Sequence, residues 1–278
     1  MVDMVDALEE LNRIVMDREM GSTQIAFAVL RKTAELVRGM SGEELEAALA
    51  KVMEVAHRRS SMPVIANALR EMRRLLAEGM DAERAAESVI AGIGERIDES
   101  VTRLVGHLGK GVRVATYSYS SHALRAIKAL EPASVELPFC SPLNEGIRAS
   151  AELRRAGVRC SVSQDLEFLR RLRGCDAVLL GSDAVLRDGR IVNRSGTSSL
   201  VERASELGLP CLFLTDPLKL DLKGLWRNET IELEGVAFEL FDLTEPLENV
   251  LTVSSFGVLR PEEFAERAST FLTGSSSR

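Results

Sequence analysis

The sequence is poor in aromatic residues, histidine and cysteine, and each scarcity removes a class of protein. Phe, Tyr and Trp together make up 4% of the 278 residues, and the sequence contains one Trp. It has three His. The four Cys show no CxxC spacing and no nearby His that would complete a zinc site, so we predict no metal and interpret them as reduced, mostly buried thiols. No apolar run reaches the roughly 18 residues that would span a bilayer, and no positively charged leader is present. We therefore expect a cytoplasmic protein with no membrane association.

The charge balance is mildly acidic. Lys and Arg number 35 against 42 Asp and Glu, which gives a formal net charge of −7. A chain with this balance lacks the positive field that proteins use to bind nucleic acid through phosphates alone. With 45% hydrophobic and 28% charged residues, the composition is that of a globular protein with room for a small domain and a larger one.

Residues 1–108 carry the pattern of amphipathic helices. Apolar side chains recur three and four positions apart, as in Leu8, Leu11 and Val15, which is the period of a helix with one buried face. Ser41 and Glu44 form a capping-box pattern ahead of an apolar run. We therefore predict a helical N-terminal domain over residues 1–108.

Residues 109–278 change to short apolar runs, each followed by a helical pattern. This alternation predicts an α/β fold class, with a Rossmann-like domain whose parallel sheet is covered on both faces. Ligands of such sheets bind beyond the carboxyl ends of the strands. The run Val236–Phe241 fits either an exposed edge strand or the core, and we favour the core. For residues 273–278 we predict a disordered tail. The predicted strands are Val112–Tyr117, Ser134–Phe139, Val158–Val162, Ala177–Leu180, Cys211–Thr215 and Val250–Val253, and the predicted helices are Ser121–Leu130, Leu143–Ala156, Leu166–Leu172 and Thr197–Leu207.

Short catalytic motifs are absent. The sequence has no GxGxxG, GxxxxGK[ST], HExxH or GxSxG pattern. Nothing therefore supports a dinucleotide, P-loop, zinc-protease or α/β-hydrolase site, and we predict no cofactor.

The most distinctive segment runs from residue 176 to residue 197. An apolar run ends in Gly-Ser-Asp, which puts Asp183 at the carboxyl end of a strand, and the residues from Asn193 to Thr197 open a helix. Free backbone N–H groups, the helix dipole, Arg194 and hydroxyl groups make this helix N-terminus a candidate phosphate or carboxylate site. Helix capping by Asn193 or Thr197 explains the same residues equally well on chemistry alone.

Motifs along nearly the whole chain resemble those of one family. Gly181–Val185 and Asp188–Thr197 resemble G-A-D-x-[IV] and N-G-x-[VI]-x-N-K-[IV]-G-T, Thr116–Ser121 resembles T-H-x-x-S-x, and Pro142–Gly146 resembles R-P-x-x-E-G. The pattern is similar to that of the translation initiation factor 2B alpha, beta and delta subunits and the related ribose-1,5-bisphosphate and methylthioribose-1-phosphate isomerases. The resemblance implies a helical domain on a Rossmann-like domain, and assembly as a homodimer or higher oligomer.

The resemblance also implies site residues. The isomerases use a Cys in the loop after the first strand and the Asp of G-A-D, and these positions fall on Ser118 and Asp183. A hydroxyl has a far higher pKa than a thiol, so Ser118 cannot replace the Cys as an acid or base near neutral pH. Cys140 lies one loop later and is out of register with this position. Ligand binding is implied for Gly21, Ser22, Asn193, Arg194, Gly196, Thr197 and Lys219.

Two of the cationic phosphate contacts of the family are missing. The Arg of R-G-A corresponds to Met20, and the Arg of R-P-x-x-E-G corresponds to Ser141. Each bidentate Arg contact contributes roughly 1.5–3 kcal/mol. Phosphate binding is therefore weakened unless Arg18, Arg59 or Arg113 substitutes.

Loss of the Cys with retention of the scaffold resembles the initiation-factor branch. We therefore predict a non-catalytic regulatory subunit that binds initiation factor 2 subunits and a phosphorylated small molecule, either a nucleotide or a sugar phosphate. The alternative is an aldose–ketose sugar-phosphate isomerase of the ribose-1,5-bisphosphate or methylthioribose-1-phosphate type, with Asp183 as proton relay and with Asn193 and Arg194 on the phosphate. A third hypothesis is a scaffold that only oligomerises.

Overall fold

A computed structural model describes residues 4–274, which form two compact units. The helical unit contains the described residues up to Glu95 together with Leu225–Arg227, and the α/β unit contains Arg96–Gly224 and the described residues from Asn228 onward. The division falls inside a helix, whereas the sequence pattern put a domain boundary after residue 108. A helix that changes packing partners part-way keeps an unbroken apolar period, so the pattern does not reveal this point.

The helical unit has its own apolar core. Leu11, Ile25, Leu30, Ile65 and Met72 are fully buried, because each helix turns one apolar face toward its neighbours. The second helix contacts both the first and the fourth. The helices are α1 (Met4–Val15), α2 (Ser22–Leu36), α3 (Gly42–His57), α4 (Pro63–Ala77) and α5 (Ala82–Leu108), of which α5 continues into the α/β unit.

The α/β unit is organised around a seven-stranded sheet in the order β12-β11-β7-β4-β1-β2-β3. All neighbouring pairs in it are parallel except β11 with β12. The predicted fold class is therefore confirmed. Its strands are β1 (Arg113–Thr116), β2 (Ser134–Pro138), β3 (Cys160–Ser163), β4 (Ala177–Gly181), β7 (Cys211–Leu214), β11 (Val250–Ser254) and β12 (Gly257–Leu259), and its helices are α6 (Ser121–Leu130), α7 (Glu145–Arg155), α8 (Asp165–Arg171), α9 (Thr197–Glu206) and α10 (Pro261–Thr273).

Both faces of this sheet are covered, which explains why its central strands β4 and β7 are apolar at every position. In β4, Leu179 packs with apolar residues of α5, α6 and α7, whereas Leu180 packs with those of α8 and α9. Successive side chains of a strand point to opposite faces, so a strand buried on both sides cannot alternate with polar residues. None of the helices formed within residues 4–274 is long and apolar enough to cross a membrane.

Two smaller sheets complete the α/β unit. A three-stranded sheet consists of β5 (Ala184–Val185), β6 (Ile191–Arg194) and β10 (Phe241–Thr244), and a hairpin pairs β8 (Thr230–Leu233) with β9 (Val236–Glu239). The core placement favoured for Val236–Phe241 is wrong for β9, because Val236 is 54% exposed, and right for Phe241, which is fully buried. The predicted tail also begins too early, since Thr273 ends α10; residues 275–278 lie outside the described residues.

Candidate functional site

Four parallel strands end at one edge of the α/β unit, and a chemically reactive or polar side chain follows each of them. Ser118 follows β1, Cys140 follows β2, Asp183 follows β4 and Asp216 follows β7. These strands are neighbours in the order β7-β4-β1-β2, and the carboxyl ends of parallel strands form the ligand edge of an open α/β sheet. The predicted residues Ser118 and Asp183 therefore follow adjacent strands at the same edge.

Ser118 occupies an unusual backbone conformation at this edge. Its φ is 62°, a left-handed value that costs a non-glycine residue about 1–3 kcal/mol and that recurs at ligand sites. The residue is buried, and its N–H donates to Cys140 Sγ at 3.1 Å. Among residues 4–274, the Ser118 hydroxyl has no hydrogen-bond partner, so it is available to a bound molecule.

Cys140 lies closer to the family's Cys position than its place in the sequence indicated. Its Sγ accepts from the backbone of Ser118, and its own N–H donates to Asp165 Oδ1 at 2.8 Å. Burial raises the pKa of the Cys140 thiol to about 12. The thiol is therefore protonated at neutral pH and cannot act there as a base or a nucleophile.

Asp183 and Lys219 form the charged part of the edge. The Asp183 carboxylate is half-buried and accepts no hydrogen bond from the described part of the chain. Lys219 is 3% exposed, and its ammonium donates to the carbonyl of Ser182. Burial lowers the pKa of Lys219, while the negative charges of Asp183 and Asp216 oppose this shift. The negative charge of Asp183 thus acts on the buried ammonium of Lys219, and both are predicted site residues.

The N-terminus of α9 carries the predicted residues Asn193, Gly196 and Thr197. Asn193 Nδ2 donates to Thr197 Oγ1 at 3.2 Å, and the Thr197 hydroxyl donates to the carbonyl of Arg194 at 2.6 Å. Gly196 has a φ of 99°, and a Cβ at this position would lie 2.3 Å from Tyr117 Oη. Glycine is therefore required here both by the backbone conformation and by the close approach of Tyr117.

A carboxylate of the protein already occupies this helix N-terminus. Asp242 Oδ2 accepts from Gly196 N at 2.8 Å, from Ser198 N at 3.1 Å and from Ser198 Oγ at 2.8 Å. Burial raises the pKa of Asp242, and the hydrogen bonds from Ser198 and Gly196 act in the opposite direction. Asp242 thus takes the backbone donors that the sequence offered to a phosphate. The sequence analysis missed this residue because it lies more than forty positions further along the chain.

Arg194 is also engaged by a residue that the sequence did not indicate. Its Nη2 and Nε donate to the Glu145 carboxylate at 2.7 and 3.0 Å, and its guanidinium lies 5.2 Å from the centroid of the Phe241 ring. Nη1 of Arg194 is buried and has no partner within residues 4–274. This third nitrogen is the part of the guanidinium that remains for a ligand.

Two of the three cations considered as substitutes for the missing phosphate contacts, Arg59 and Arg113, have other partners. In the helical unit, Arg59 donates to the carbonyls of Val15, at 2.9 Å, and Asp17. In the α/β unit, Arg113 pairs with Asp176 at 2.8 Å at the start of β1, the opposite end of the strand from Ser118. Arg113 therefore adds no cation to the edge formed by Ser118 and Asp183.

Gly21 and Ser22 belong to the helical unit. Gly21 precedes α2, and its N–H is capped by Gln24 Oε1 at 3.1 Å; Ser22 is the first residue of the helix and is buried. Their role in ligand binding stays a prediction, as do the roles of the other site residues. Across the described residues, no group of three or more His, Cys, Asp and Glu side chains is arranged to hold a metal ion.

The sequence model of the Initiation factor 2 subunit family matches residues 18–253. The chain belongs to the Initiation factor 2 subunit family. The motif-based prediction of this family is confirmed, and the match includes Ser118, Asp183, the α9 N-terminus and Lys219. The edge described above therefore lies within the part of the chain that the family model matches.

The relatives of this chain carry two kinds of name, those of isomerases and those of initiation factor subunits. The chain is 28% identical over 177 residues to a ribose 1,5-bisphosphate isomerase of Haloferax volcanii, covering 60% of this chain and 53% of that protein. It is also 28% identical over 224 residues to a putative translation initiation factor eIF-2B subunit 2-like protein of Pyrococcus abyssi, covering 73% and 75%. The chain thus spans about half the length of the Haloferax relative.

A solved structure has the same fold. The translation initiation factor eIF-2B of Pyrococcus horikoshii OT3 aligns with a TM-score of 0.80 at 21% identity, covering 95% of this chain and 98% of that one. An identity this low establishes the fold rather than the activity. The site chemistry of this chain therefore has to be argued from its own residues.

Proposed function

We propose that this chain is a non-catalytic, ligand-sensing regulatory protein of the initiation factor 2B type. It binds a phosphorylated small molecule, a nucleotide or a sugar phosphate, at the edge that carries Ser118 and Asp183, and it binds subunits of initiation factor 2. The observation that carries the proposal is a hydroxyl, Ser118, at the position where the related isomerases use a thiol.

Isomerisation requires proton or hydride transfer between adjacent carbons, with a donor and an acceptor placed on either side. Asp183 supplies one carboxylate. Ser118 cannot supply a second acid or base at neutral pH, and the neighbouring Cys140 thiol is buried with a pKa raised to about 12. The edge therefore retains groups that can bind a ligand, but it lacks one of the two acid–base groups that isomerisation requires.

The remaining groups suit a sugar phosphate or nucleotide as a bound molecule. The Ser118 hydroxyl and the Asp183 carboxylate are free to accept from hydroxyl groups of a sugar, and Nη1 of Arg194 is a free donor for a phosphate oxygen. Two contacts to phosphate that the family resemblance implies are absent, so we expect binding weaker than that of an isomerase with both.

Replacing Ser118 by Cys tests the proposal directly. With ribose 1,5-bisphosphate as substrate, we expect no turnover by the wild-type protein, and turnover by Ser118→Cys at least about 100-fold above background, because general acid–base groups contribute that much or more. The measurement is product formation followed by NMR.

Two further variants serve as controls for this assay. Ser118→Ala removes the hydroxyl without adding a thiol and should remain inactive, and Asp183→Asn in the Ser118→Cys background should abolish the gained turnover. Turnover by the wild-type protein that Asp183→Asn abolishes would overturn the proposal and establish an isomerase that works without the family's Cys.

That isomerase is the second candidate function. It is favoured by one observation: within residues 4–274 the Asp183 carboxylate, which the isomerases require, accepts no hydrogen bond, and its charge acts on the buried ammonium of Lys219. Ribose 1,5-bisphosphate and methylthioribose 1-phosphate are the substrates to test, in line with the isomerase resemblance.

The partner proposal has a separate test. We expect the purified protein to retain initiation factor 2 subunits in a pull-down and to give a binding isotherm by calorimetry. Light scattering on a size-exclusion column checks the predicted homodimer or higher oligomer. Assembly without binding of any factor 2 subunit or phosphorylated ligand would leave the scaffold hypothesis in its place.

A further inference from the structure

The hairpin β8–β9 has one apolar side that the chain leaves largely exposed. Its strands pair Ile231 with Phe238 and Leu233 with Val236, and residues opposite each other in an antiparallel pair point to the same side of the sheet. These four side chains therefore form one surface, which we call the apolar face. Ile231 is 4% exposed, whereas Leu233, Val236 and Phe238 are 37%, 54% and 36% exposed.

The hairpin is closed by hydrogen bonds at its base and by a tight turn at its tip. Asn228 Nδ2 donates to the carbonyl of Phe241 at 2.9 Å, and Asn228 Oδ1 accepts from Phe241 N at 3.2 Å. At the tip, the φ values of Glu234 and Gly235 are 51° and 77°, the left-handed pair that joins two strands through a two-residue turn. The apolar face thus belongs to a well-defined pair of strands.

The outer edge of β8 offers backbone groups to a further strand. Within residues 4–274, β8 and β9 pair only with each other, so each has one edge without a neighbouring strand. Leu240 N donates to the carbonyl of Glu229 at 2.7 Å. Because bonded and non-bonded pairs alternate in an antiparallel ladder, the N–H and C=O groups of Thr230 and Glu232 point outward. Both residues are exposed.

The outer edge of β9 is partly occupied. Its outward groups are those of Ala237 and Glu239, by the same alternation. Ser195 Oγ donates to the carbonyl of Glu239 at 2.6 Å, and Ser195 N donates to the carbonyl of Leu240 at 3.1 Å. A strand that extends this small sheet therefore adds to β8.

The charge of the hairpin selects the kind of strand that fits. Glu232, Glu234 and Glu239 are exposed, and the sequence contains no Lys or Arg from Asn228 to Leu259. Glu232 lies on the side opposite to the apolar face, because alternate residues of a strand point to opposite sides. A second copy of this chain added edge to edge at β8 would bring two Glu232 carboxylates to the same side, and like charges on neighbouring strands repel.

We propose that the outer edge of β8 binds an extended segment of another protein, in which apolar residues alternate with Lys or Arg. The segment adds as a third strand, and its backbone pairs with the outward N–H and C=O groups of Thr230 and Glu232. Its apolar side chains lie beside Ile231 and Leu233, and its basic side chains lie beside Glu232. This interaction goes beyond the proposed function.

Synthetic peptides test the recognition by fluorescence anisotropy with the full-length protein. In fluorescein-labelled peptides of about nine residues, Val alternates with Lys in the probe and with Glu in the control, the length of a β-strand with room at both ends. We expect saturable binding of the Lys–Val peptide, weakened by salt, and no binding of the Glu–Val peptide. No binding of the Lys–Val peptide, or equal binding of both, would overturn the proposal.

Proline variants distinguish the edge of β8 from that of β9. Thr230→Pro removes an outward N–H but no bond between β8 and β9, so the affinity for the Lys–Val peptide should fall about tenfold, as expected for a lost backbone hydrogen bond. Ala237→Pro removes an outward N–H of β9 and should leave the affinity unchanged. Equal losses in the two variants, or no loss in Thr230→Pro, would contradict the assignment of the edge.

A charge exchange decides the question if a proline variant fails to fold. Glu232→Lys should bind the Lys–Val peptide about fivefold more weakly or worse and should acquire binding of the Glu–Val peptide, because cross-strand pairs of opposite charge attract and like charges repel. Glu248→Lys makes the same change at an exposed position outside the hairpin and should alter neither affinity. If Glu232→Lys acquires no binding of the Glu–Val peptide, the proposal is wrong.

Hydrogen exchange and light scattering separate this partner from a second copy of the chain. The bound Lys–Val peptide should protect the amides of Thr230 and Glu232 from exchange and leave that of Ala237 unprotected. Phe238→Ser should not change the mass of the protein in solution. A lower mass for Phe238→Ser, together with no binding of the peptide, would make the apolar face an interface between copies. These tests use no sugar phosphate and no initiation factor 2 subunit, so their failure leaves the proposed function standing.

Discussion

Gly146→Ala should lower the free energy of unfolding by about 3 kcal/mol, at the upper end of the usual cost of overpacking. A Cβ on Gly146 would lie 1.8 Å from the carbonyl oxygen of Pro138 and 3.3 Å from Cys140 Sγ. The first of these atoms belongs to the backbone at the end of β2, which is held between β1 and β3. The backbone must therefore move, and the expected fall in Tm, measured by calorimetry, is roughly 6–12 °C.

Gly106→Ala is the matched control for this variant. Gly106 also lies in a helix, α5, but a Cβ there meets nothing within 4 Å. Alanine is the better helix former by roughly 0.5–1 kcal/mol, so this variant should be slightly more stable than the wild type. Equal stability of the two variants would mean that the backbone from Pro138 to Gly146 moves at little cost in free energy. It would then not hold Cys140 against Ser118.

Lowering the pH from 7 to 4 should cost the protein about 3 kcal/mol of stability through His122 alone, at 1.36 kcal/mol for each pH unit below 6.5. Burial, assisted by the charges of Lys219 and Arg125, lowers the pKa of His122 to about 3. The pKa in the folded protein thus lies below the value of 6.5 for an unfolded chain. The stabilisation is therefore complete above pH 6.5 and is lost as the pH falls toward 3.

The measurement is urea unfolding at pH 7 and at pH 4 for the wild type and His122→Gln. The Ser100 hydroxyl donates to the carbonyl of Ile97 and lies 2.6 Å from His122 Nε2. The glutamine side chain still offers an amide N–H to Ser100 Oγ, but it does not titrate. The difference in stability between the two pH values should shrink by about 3 kcal/mol in this variant. His107→Gln, at an exposed position of α5, should leave the difference as it is; the same loss in wild type and His122→Gln would contradict the prediction.

The strands and helices of the large sheet were predictable because their physics is local. A strand buried on both faces has to be a short apolar run, and β4 and β7 are such runs. The hairpin β8–β9 was harder, since an exposed strand such as Val236–Glu239 has the same composition as a core strand. Periodicity distinguishes a helix from a strand, but in a segment of four residues it does not distinguish a buried strand from an exposed one.

The residues of the candidate site were likewise predictable only in part. Ser118 and Asp183 were found because motifs place them at strand ends, and the strands proved to be neighbours. The partners Glu145, Asp242 and Asp216 were not found, because each meets its counterpart only after the chain has folded over long separations. The residues predicted from the sequence therefore did not include the carboxylates that pair with Arg194 and with the N-terminus of α9.

The order of strands in the large sheet has a consequence for how the protein is made. β1 is synthesised first and lies inside the sheet, β2 and β3 extend one side of it, and β4, β7, β11 and β12 follow one another outward on the other side. Every strand that leaves the ribosome can thus join an edge that already exists, and none has to insert between two paired strands. The residues of the ligand edge are synthesised in the same order as the strands. A nascent chain that ends before β7 therefore carries Ser118 and Asp183 without Asp216 and Lys219.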